Sequence, residues 1–291
     1  MNRSLLAILL AAALVLAPSA TADTDGTTWF LGGGRTAGSP SELTIEQARE
    51  RLIDHGAVPR IDAVIQYSRD GVHTGRPFGE AVREGTAHAA AVVEPGDTVI
   101  GYSQGAVIAQ QLKKILAADP GVTGAEYTFI TFGDPTNSKG GEMPFMRRHR
   151  INLGDVLPPL TADDDTVFTT TTVAQEYDRI ADFPDRAWNL LAVYNSLLSA
   201  KDHLGYRVAW SDITEAQRGA GVHLDDTQDR DRVITTERNG KGGRNIHVLV
   251  KSDTLPLTRP LRSGVAWLDR VVDVIDTPLR WIIDTGYSDV R

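Results

Sequence analysis

Residues 97–112 read DTVIGYSQGAVIAQQL, and the reading of this stretch decides the fold. Within it, Gly101-Tyr102-Ser103-Gln104-Gly105 fits G-x-S-x-G, the pattern of a nucleophile elbow, in which a serine stands on a sharp strand-to-helix turn. The pentapeptide alone is equally compatible with an ordinary turn, so its flanks carry the decision. Thr98-Val99-Ile100 supplies the end of a buried strand. Val107, Ile108, Leu112, Ile115 and Leu116 then recur at helical spacing until Asp119-Pro120 ends the pattern. Strand, turn and helix follow in the order the motif requires. The motif predicts a strained backbone at Ser103, with Gly101 and Gly105 letting strand and helix approach closely.

Working outward, Thr27–Leu31 reads as a first strand running into Gly32-Gly33-Gly34-Arg35. A helix is predicted over residues 41–53 with Ser41 as N-cap, a strand over Ile61–Tyr67, and a helix over Phe78–Val93 ended by Pro95-Gly96. Downstream, Tyr127–Phe132 and the Thr-rich Thr166–Val173 read as strands, Ile151–Leu153 as a short one, and Trp188–Leu198 as a helix. Val233–Arg238 and Asn245–Val250 flank the Gly-rich residues 239–243 as a hairpin. At the C-terminus an apolar stripe from Val265 to Ile283 is broken at Thr277-Pro278 and flanked by Trp267 and Trp281; its default meaning is core packing, with a lipid-facing or lid role as the alternative. Alternating apolar runs and amphipathic helices point to an α/β fold, a mostly parallel sheet covered on both faces.

Residues 1–22 read as a signal peptide, with an uncleaved anchor as the alternative: Asn2-Arg3, an apolar run from Leu5 to Leu16, and an A-x-A site at Ala20-Thr21-Ala22. Residues 23–291 then form one α/β domain. With 38 acidic against 30 basic residues the net charge is −8, a poor basis for nucleic-acid binding. The chain has no cysteine, which excludes disulfides, a thiol nucleophile and cysteine-ligated metal. Asp163-Asp164-Asp165 reads as a solvated loop.

A serine hydroxyl is a weak nucleophile until a base takes its proton, and that base needs an orienting acid. In α/β-hydrolase order both follow the serine, which disfavours His55, His73 and His88. His149 stands among Arg147, Arg148 and Arg150, whose charges oppose its protonation. His247 falls in a hairpin strand and His223 beside Asp225 and Asp226. His203, in a loop after a helix, is the candidate base. Asp134, Asp155, Asp178 and Asp182 are candidate acids, and residue-level reading leaves the choice open between Asp178 and Asp182 in EYDRIADFP, residues 176–184.

From about Gly75 onward the chain resembles the PE-PPE domain, a cutinase-related serine α/β-hydrolase module of mycobacterial exported proteins. The resemblance is carried by Gly101–Ala106, by Phe132-Gly133-Asp134-Pro135 with Gly140-Gly141, and by Tyr177-Asp178 with Ala181–Pro184. It continues through Asn189-Leu190-Leu191, His203, Tyr206 and Leu255–Arg262. It implies a cutinase-like α/β-hydrolase fold with a C-terminal hairpin and helical extension. Cutinases place the histidine in an H-x-x-Y segment, matched by His203 to Tyr206, and by that likeness Asp182 fits the acid better than Asp178.

The implied chemistry is attack by Ser103 on an ester carbonyl, with His203 as base held by Asp182. The backbone N–H of Gln104 and the loop around Gly34 and Arg35 would form the oxyanion hole. No metal or organic cofactor is needed. The resemblance implies transfer of long fatty acyl chains between cell-envelope glycolipids, trehalose esters foremost, with hydrolysis of fatty-acyl esters as the alternative. The expected partners are lipid or glycolipid esters, with peripheral contact to membrane or envelope. A non-catalytic, lipid-binding envelope protein on the same fold is the rival from another class.

Overall fold

The computed structural model describes residues 26–53, 58, 60–200, 202–204, 206, 227, 228 and 232–288. The signal-peptide residues 1–22, His55, His223, Asp225 and Asp226 lie outside the described residues. The strands are β1 (Thr28–Leu31), β2 (Ala63–Val64), β3 (Thr98–Tyr102), β4 (Thr128–Phe132), β5 (Thr169–Gln175), β6 (Thr227–Gln228), β7 (Arg232–Arg238) and β8 (Arg244–Val250). They form one eight-stranded sheet in the order β2-β1-β3-β4-β5-β8-β7-β6. Pairing is parallel from β2 to β8 and antiparallel at β8–β7 and β7–β6. The helices are α1 (Ile45–Leu52), α2 (Phe78–Val92), α3 (Gln104–Ala117), α4 (Glu142–Arg148), α5 (Leu190–Leu197) and α6 (Ala266–Asp284).

Strand β3 sits inside the sheet, and its side chains enter two cores. Val99 packs with α2 and α3 through Val82, Val107, Ile108 and Leu112. Ile100 and Tyr102 face the other layer, with Phe30, Leu52, Ile130 and Phe132. Burial on both faces explains the unbroken apolar run, and each such side chain contributes roughly 1.5–3 kcal/mol. This is the α/β-hydrolase fold: a central, mostly parallel sheet flanked by helices, with the serine at the end of an inner strand.

Several expectations change. The first helix begins later than predicted: Thr44, not Ser41, is its N-cap, with Thr44 and Gln47 making a reciprocal capping box. The predicted strand Ile61–Tyr67 shrinks to Ala63–Val64, because it pairs only with β1 at the sheet edge. Ile151–Leu153 forms no strand; Ile151 and Leu153 are exposed. The hairpin is not an appendage, since β8 lies parallel beside β5 from Thr169 to Gln175 and extends the central sheet. Its turn is closed by Asn239, whose Oδ1 accepts the N–H groups of Lys241 and Gly243 at 3.1 and 3.0 Å. Helix α6 runs through Pro278 instead of breaking there. The proline removes the donor for the carbonyl of Val274, a residue on the exposed side of the helix, where an unpaired carbonyl costs less than in the core.

Helix α6 has two apolar faces. Val272 and Ile283 are buried, the latter with Tyr177, Ala192, Leu255 and Tyr287. The outer stripe, with Trp267, Val271, Val274 and Trp281, is exposed, and so are Leu190, Tyr194 and Leu197 on the adjoining α5. Among the described residues, no helix is long and apolar enough to cross a membrane.

Candidate active site

Ser103 follows the last residue of β3 and caps α3 with φ 53° and ψ −116°, a conformation strained for any L-residue. The surrounding packing enforces it. A Cβ on Gly101 would lie 2.5 Å from the Gly105 carbonyl oxygen, and one on Gly105 would lie 2.1 Å from that of Leu31. The Ser103 N–H donates to the carbonyl of Phe132 at 2.8 Å, tying the elbow to β4.

His203 lies in a single 3-10 turn, Asp202–Leu204, soon after α5. Arg259 anchors this turn through Asp202 at 2.8 Å, and the Tyr102 hydroxyl donates to the His203 carbonyl. The ring bridges two partners: Nε2 is 2.8 Å from Ser103 Oγ, and Nδ1 is 2.7 Å from Asp178 Oδ2. Gly133, at φ +59°, leaves room for the ring, because a Cβ there would sit 2.7 Å from His203 Cε1.

Asp178, not Asp182, is therefore the acid on the histidine. It stands in the turn directly after β5 and is fully buried. Its Oδ1 accepts the N–H of Ile180 at 2.9 Å, and its Oδ2 accepts from both His203 Nδ1 and the Tyr206 hydroxyl, the latter at 2.5 Å. The Asp182 carboxylate accepts the N–H of Tyr177 at 2.6 Å, where it stabilises a residue held at φ +67°. It locks the turn that presents Asp178. Of the other acids, Asp134 is buried and accepts from Thr136 and Gln110, while Asp155 pairs with Arg83 on the surface.

The glycine-rich loop after β1 passes the serine, but not as predicted at every residue. The Arg35 N–H donates to the carbonyl of Arg69 at 2.9 Å, so it is committed elsewhere. Its guanidinium contacts Ser68, Ser39 and Asp70, which makes Arg35 a brace of the loop. Gly34 faces the side chain of Gln104, whose Nε2 donates to the Asp70 carbonyl at 2.6 Å. Gly33 lies against Ser103 itself: a Cβ there would be 3.3 Å from that of the serine. The N–H of Gln104 opens α3, where a helix leaves its first amides without intrahelical acceptors.

Residue-level reading leaves Asp178 and Asp182 open and the resemblance favours Asp182, whereas the structure pairs Asp178 with His203; Gly33 and Gly133 as supports, and the bond from Tyr206 to the acid, were not anticipated. The signal for Asp178 was its place three residues beyond the end of β5, one turn ahead of Asp182. A further carboxyl, Glu142 at the start of α4, is pushed up to about 7 by its low-dielectric surroundings, against the pull of His203 and Arg179. Of the remaining histidines, His149 is exposed and its ring packs 4.3 Å from that of Phe145. His247 lines a cavity of about 270 Å³ with Thr172, Thr235, Lys139 and Glu237, and desolvation lowers it to about 4.

Comparison with known proteins gives a consistent picture. Diacyltrehalose acyltransferase Chp2 of Mycobacterium tuberculosis is 29% identical over 93% of this chain and 77% of its own length. Esterase PE16 of the same organism is 31% identical over 75% of this chain, and SL1278 acyltransferase Chp1 is 28% identical over 72%. The chain spans 41% and 49% of those last two relatives. Among solved structures, the ydeN gene product from B. subtilis aligns at 10% identity over 65% of this chain and 97% of its own, with a TM-score of 0.36. That value is too low to bear on the fold, which rests on the sheet order and the elbow. The sequence model of the PE-PPE domain matches residues 68–288, which take in the elbow, the Asp178 turn and His203, and the chain belongs to the PE-PPE domain family.

Proposed function

We propose that this protein is a serine-dependent acyl-transfer enzyme that moves long fatty acyl chains between glycolipids of the cell envelope, trehalose esters foremost. The observation that carries the reading is the hydrogen-bonded chain from Ser103 Oγ through His203 to Asp178, at 2.8 and 2.7 Å. Ser103 attacks the ester carbonyl of the donor while His203 Nε2 takes its proton, and buried Asp178 stabilises the imidazolium. The N–H of Gln104 faces the developing oxyanion, with the Gly33–Gly34 loop as the second donor region; each donor is typically worth about 3–4 kcal/mol. The tetrahedral intermediate collapses, His203 returns the proton to the leaving sugar oxygen, and the acyl group stays on Ser103. An acceptor hydroxyl then gives its proton to His203 and attacks the acyl-enzyme, which restores the serine.

Water in place of the acceptor gives hydrolysis. That is the second reading, favoured by the similarity to a protein named an esterase. The names of the two acyltransferase relatives support transfer as the first, and Chp2 is the relative matched over most of both chains. The reading includes export, supported by the apolar run Leu5–Leu16 and the small residues Ala20-Thr21-Ala22. It also includes peripheral contact with lipid through the exposed stripe of α5 and α6.

The test incubates purified protein and its Ser103→Ala variant with a diacylated trehalose lipid and identifies all products by mass spectrometry. Ser103-dependent appearance of more highly acylated trehalose beside deacylated donor supports transfer. Free fatty acid with deacylated sugar alone replaces transfer by hydrolysis. Neither product, together with failure of Ser103 to react with a fluorophosphonate, overturns the enzyme reading.

A further inference from the structure

Asp178 carries three donors deep in the protein. It is completely buried, and no Lys or Arg contributes a hydrogen bond to either oxygen within the described residues. A carboxylate in that position keeps its charge only if hydrogen bonds replace water. One donor is the backbone N–H of Ile180, on Oδ1. The other two, His203 Nδ1 at 2.7 Å and the Tyr206 hydroxyl at 2.5 Å, share Oδ2. The histidine therefore does not have that oxygen to itself. The other charged groups around it are Glu142 at the start of α4, whose carboxyl is pushed up to about 7 and interacts with His203, Arg179 beyond Asp178, and the Asp202–Arg259 pair on its own turn; all of them are unchanged in the proteins compared below.

Tyr206 is built to stay there. It is buried, and its ring packs edge-on against those of Tyr102, Phe132 and His203 at 6.0, 6.1 and 6.3 Å. Burial first, and then the charge of Asp178, keep the phenol protonated far above its ordinary range, so it is a permanent donor. The next hydroxyl in the layer, Tyr102, reaches the other side of the same histidine by donating to its backbone carbonyl. Two tyrosines thus bracket His203, one acting on its main chain and one on its acid.

We propose that Tyr206 is a positioning residue that sets the proton affinity of His203 by competing with it for Asp178 Oδ2. The inference rests on reading Ser103, His203 and Asp178 as the acyl-transfer triad. A second donor on the shared oxygen draws off negative charge and weakens its hold on the histidine N–H. It also holds the plane of the carboxylate, with one oxygen towards the ring and the other on the N–H of Ile180. Removal of the phenol oxygen leaves the buried carboxylate a stronger acceptor towards His203, and the imidazolium then persists to higher pH.

The experiment compares the full protein with Tyr206→Phe and with a protein carrying 3-fluorotyrosine at position 206, whose hydroxyl is a stronger donor in nearly the same volume. Two quantities are read. The first is the pH dependence of Ser103 acylation by a fluorophosphonate. The second is the low-field proton resonance of His203 Nδ1, followed with pH by nuclear magnetic resonance without any substrate. The expected result is that Tyr206→Phe moves the acid limb of acylation to higher pH and the Nδ1 resonance further downfield, while fluorotyrosine moves both the opposite way. Profiles and resonances that coincide in all three proteins overturn the proposal, whatever happens to the rate, because a packing role alone changes rate without changing either. The fluorinated protein keeps the test open if Tyr206→Phe does not fold. Shifted resonances in a protein that Ser103 reagents do not label would retain the Tyr206 role and sink the acyl-transfer reading instead.

Discussion

Asp182 donates its backbone N–H to the carbonyl of Asp178 at 2.7 Å, so the two carboxylates stand at opposite ends of one turn. One holds His203 and the other holds the N–H of Tyr177. This separates their expected phenotypes. Asp178→Asn loses the charge that stabilises the imidazolium and should lower kcat on the order of 10³–10⁴-fold with little change in melting temperature. Asp182→Ala leaves a buried N–H without its acceptor and should cost about 1–3 kcal/mol of stability. Its kcat, measured well below its own melting temperature, should stay within about tenfold of the parent, since the catalytic hydrogen bonds remain. Reversed phenotypes would return the acid to Asp182.

Gly133→Ala tests the space reserved for the imidazole. The new methyl would sit 2.7 Å from His203 Cε1, and the residue must also keep φ +59°. Strain should cost about 1–2 kcal/mol, and displacement of the ring should slow Ser103 acylation about 10²-fold. Labelling kinetics alongside thermal melting separate the two effects. Equal losses in a variant placed far from the ring, such as at Gly154, would mean that backbone strain alone is responsible.

The raised carboxyl of Glu142 gives stability a defined slope. Its value rises from 4.5 in the unfolded chain to about 7 in the fold, so the native state binds more protons between these values. Stability contributed by this group is present below about pH 4.5 and declines as pH climbs to about 7. Glu142→Gln removes the penalty of ionisation. Denaturant titrations at pH 5 and pH 8 should show the variant gaining about 1–2 kcal/mol on the parent at the higher pH. Parallel curves for the two proteins would show that the carboxyl is not held up by burial.

The outer stripe of α6 should bind lipid by burial rather than by charge. Trp267 and Trp281 are 66% and 74% exposed, and the neighbouring Arg262 is already paired with Asp273 and Asp276. Binding to zwitterionic vesicles should shift tryptophan emission to the blue and survive added salt. Replacing either tryptophan by serine should weaken it at least tenfold, given roughly 1.5–3 kcal/mol for a buried large side chain. Self-association in the absence of vesicles would assign the stripe to a second copy of the chain.

The elbow was legible in the sequence because its determinants are local. The strand, the helix and the two close-packed glycines all lie between Thr98 and Ala117, and short-range periodicity encodes them. Ser103 and His203 were legible as types in chain order. The acid was not, because the choice depends on how the chain leaves β5. That exit is set by Tyr177 at positive φ and by the Arg179 N–H docking on Ser199 Oγ, a partner contributed by a distant segment. Arg35 failed for a related reason: its amide is claimed by Arg69, which no spacing reveals. The hairpin was readable as a hairpin, but its parallel seat beside β5 is a tertiary fact. Pro278 misled because the rule against proline in helices weakens on the exposed side, where Val274 stands one turn before it.

Gly105 rests on the backbone of Leu31 and Gly32, and nothing larger than hydrogen fits between them. The first turn of the nucleophile's helix and the start of the glycine loop are thus spaced by main chain against main chain. Such a gauge does not change when neighbouring side chains are exchanged. The walls that choose an acyl chain or an acceptor can therefore diversify while the reacting atoms keep their separation, and one invariant distance can serve many substrates.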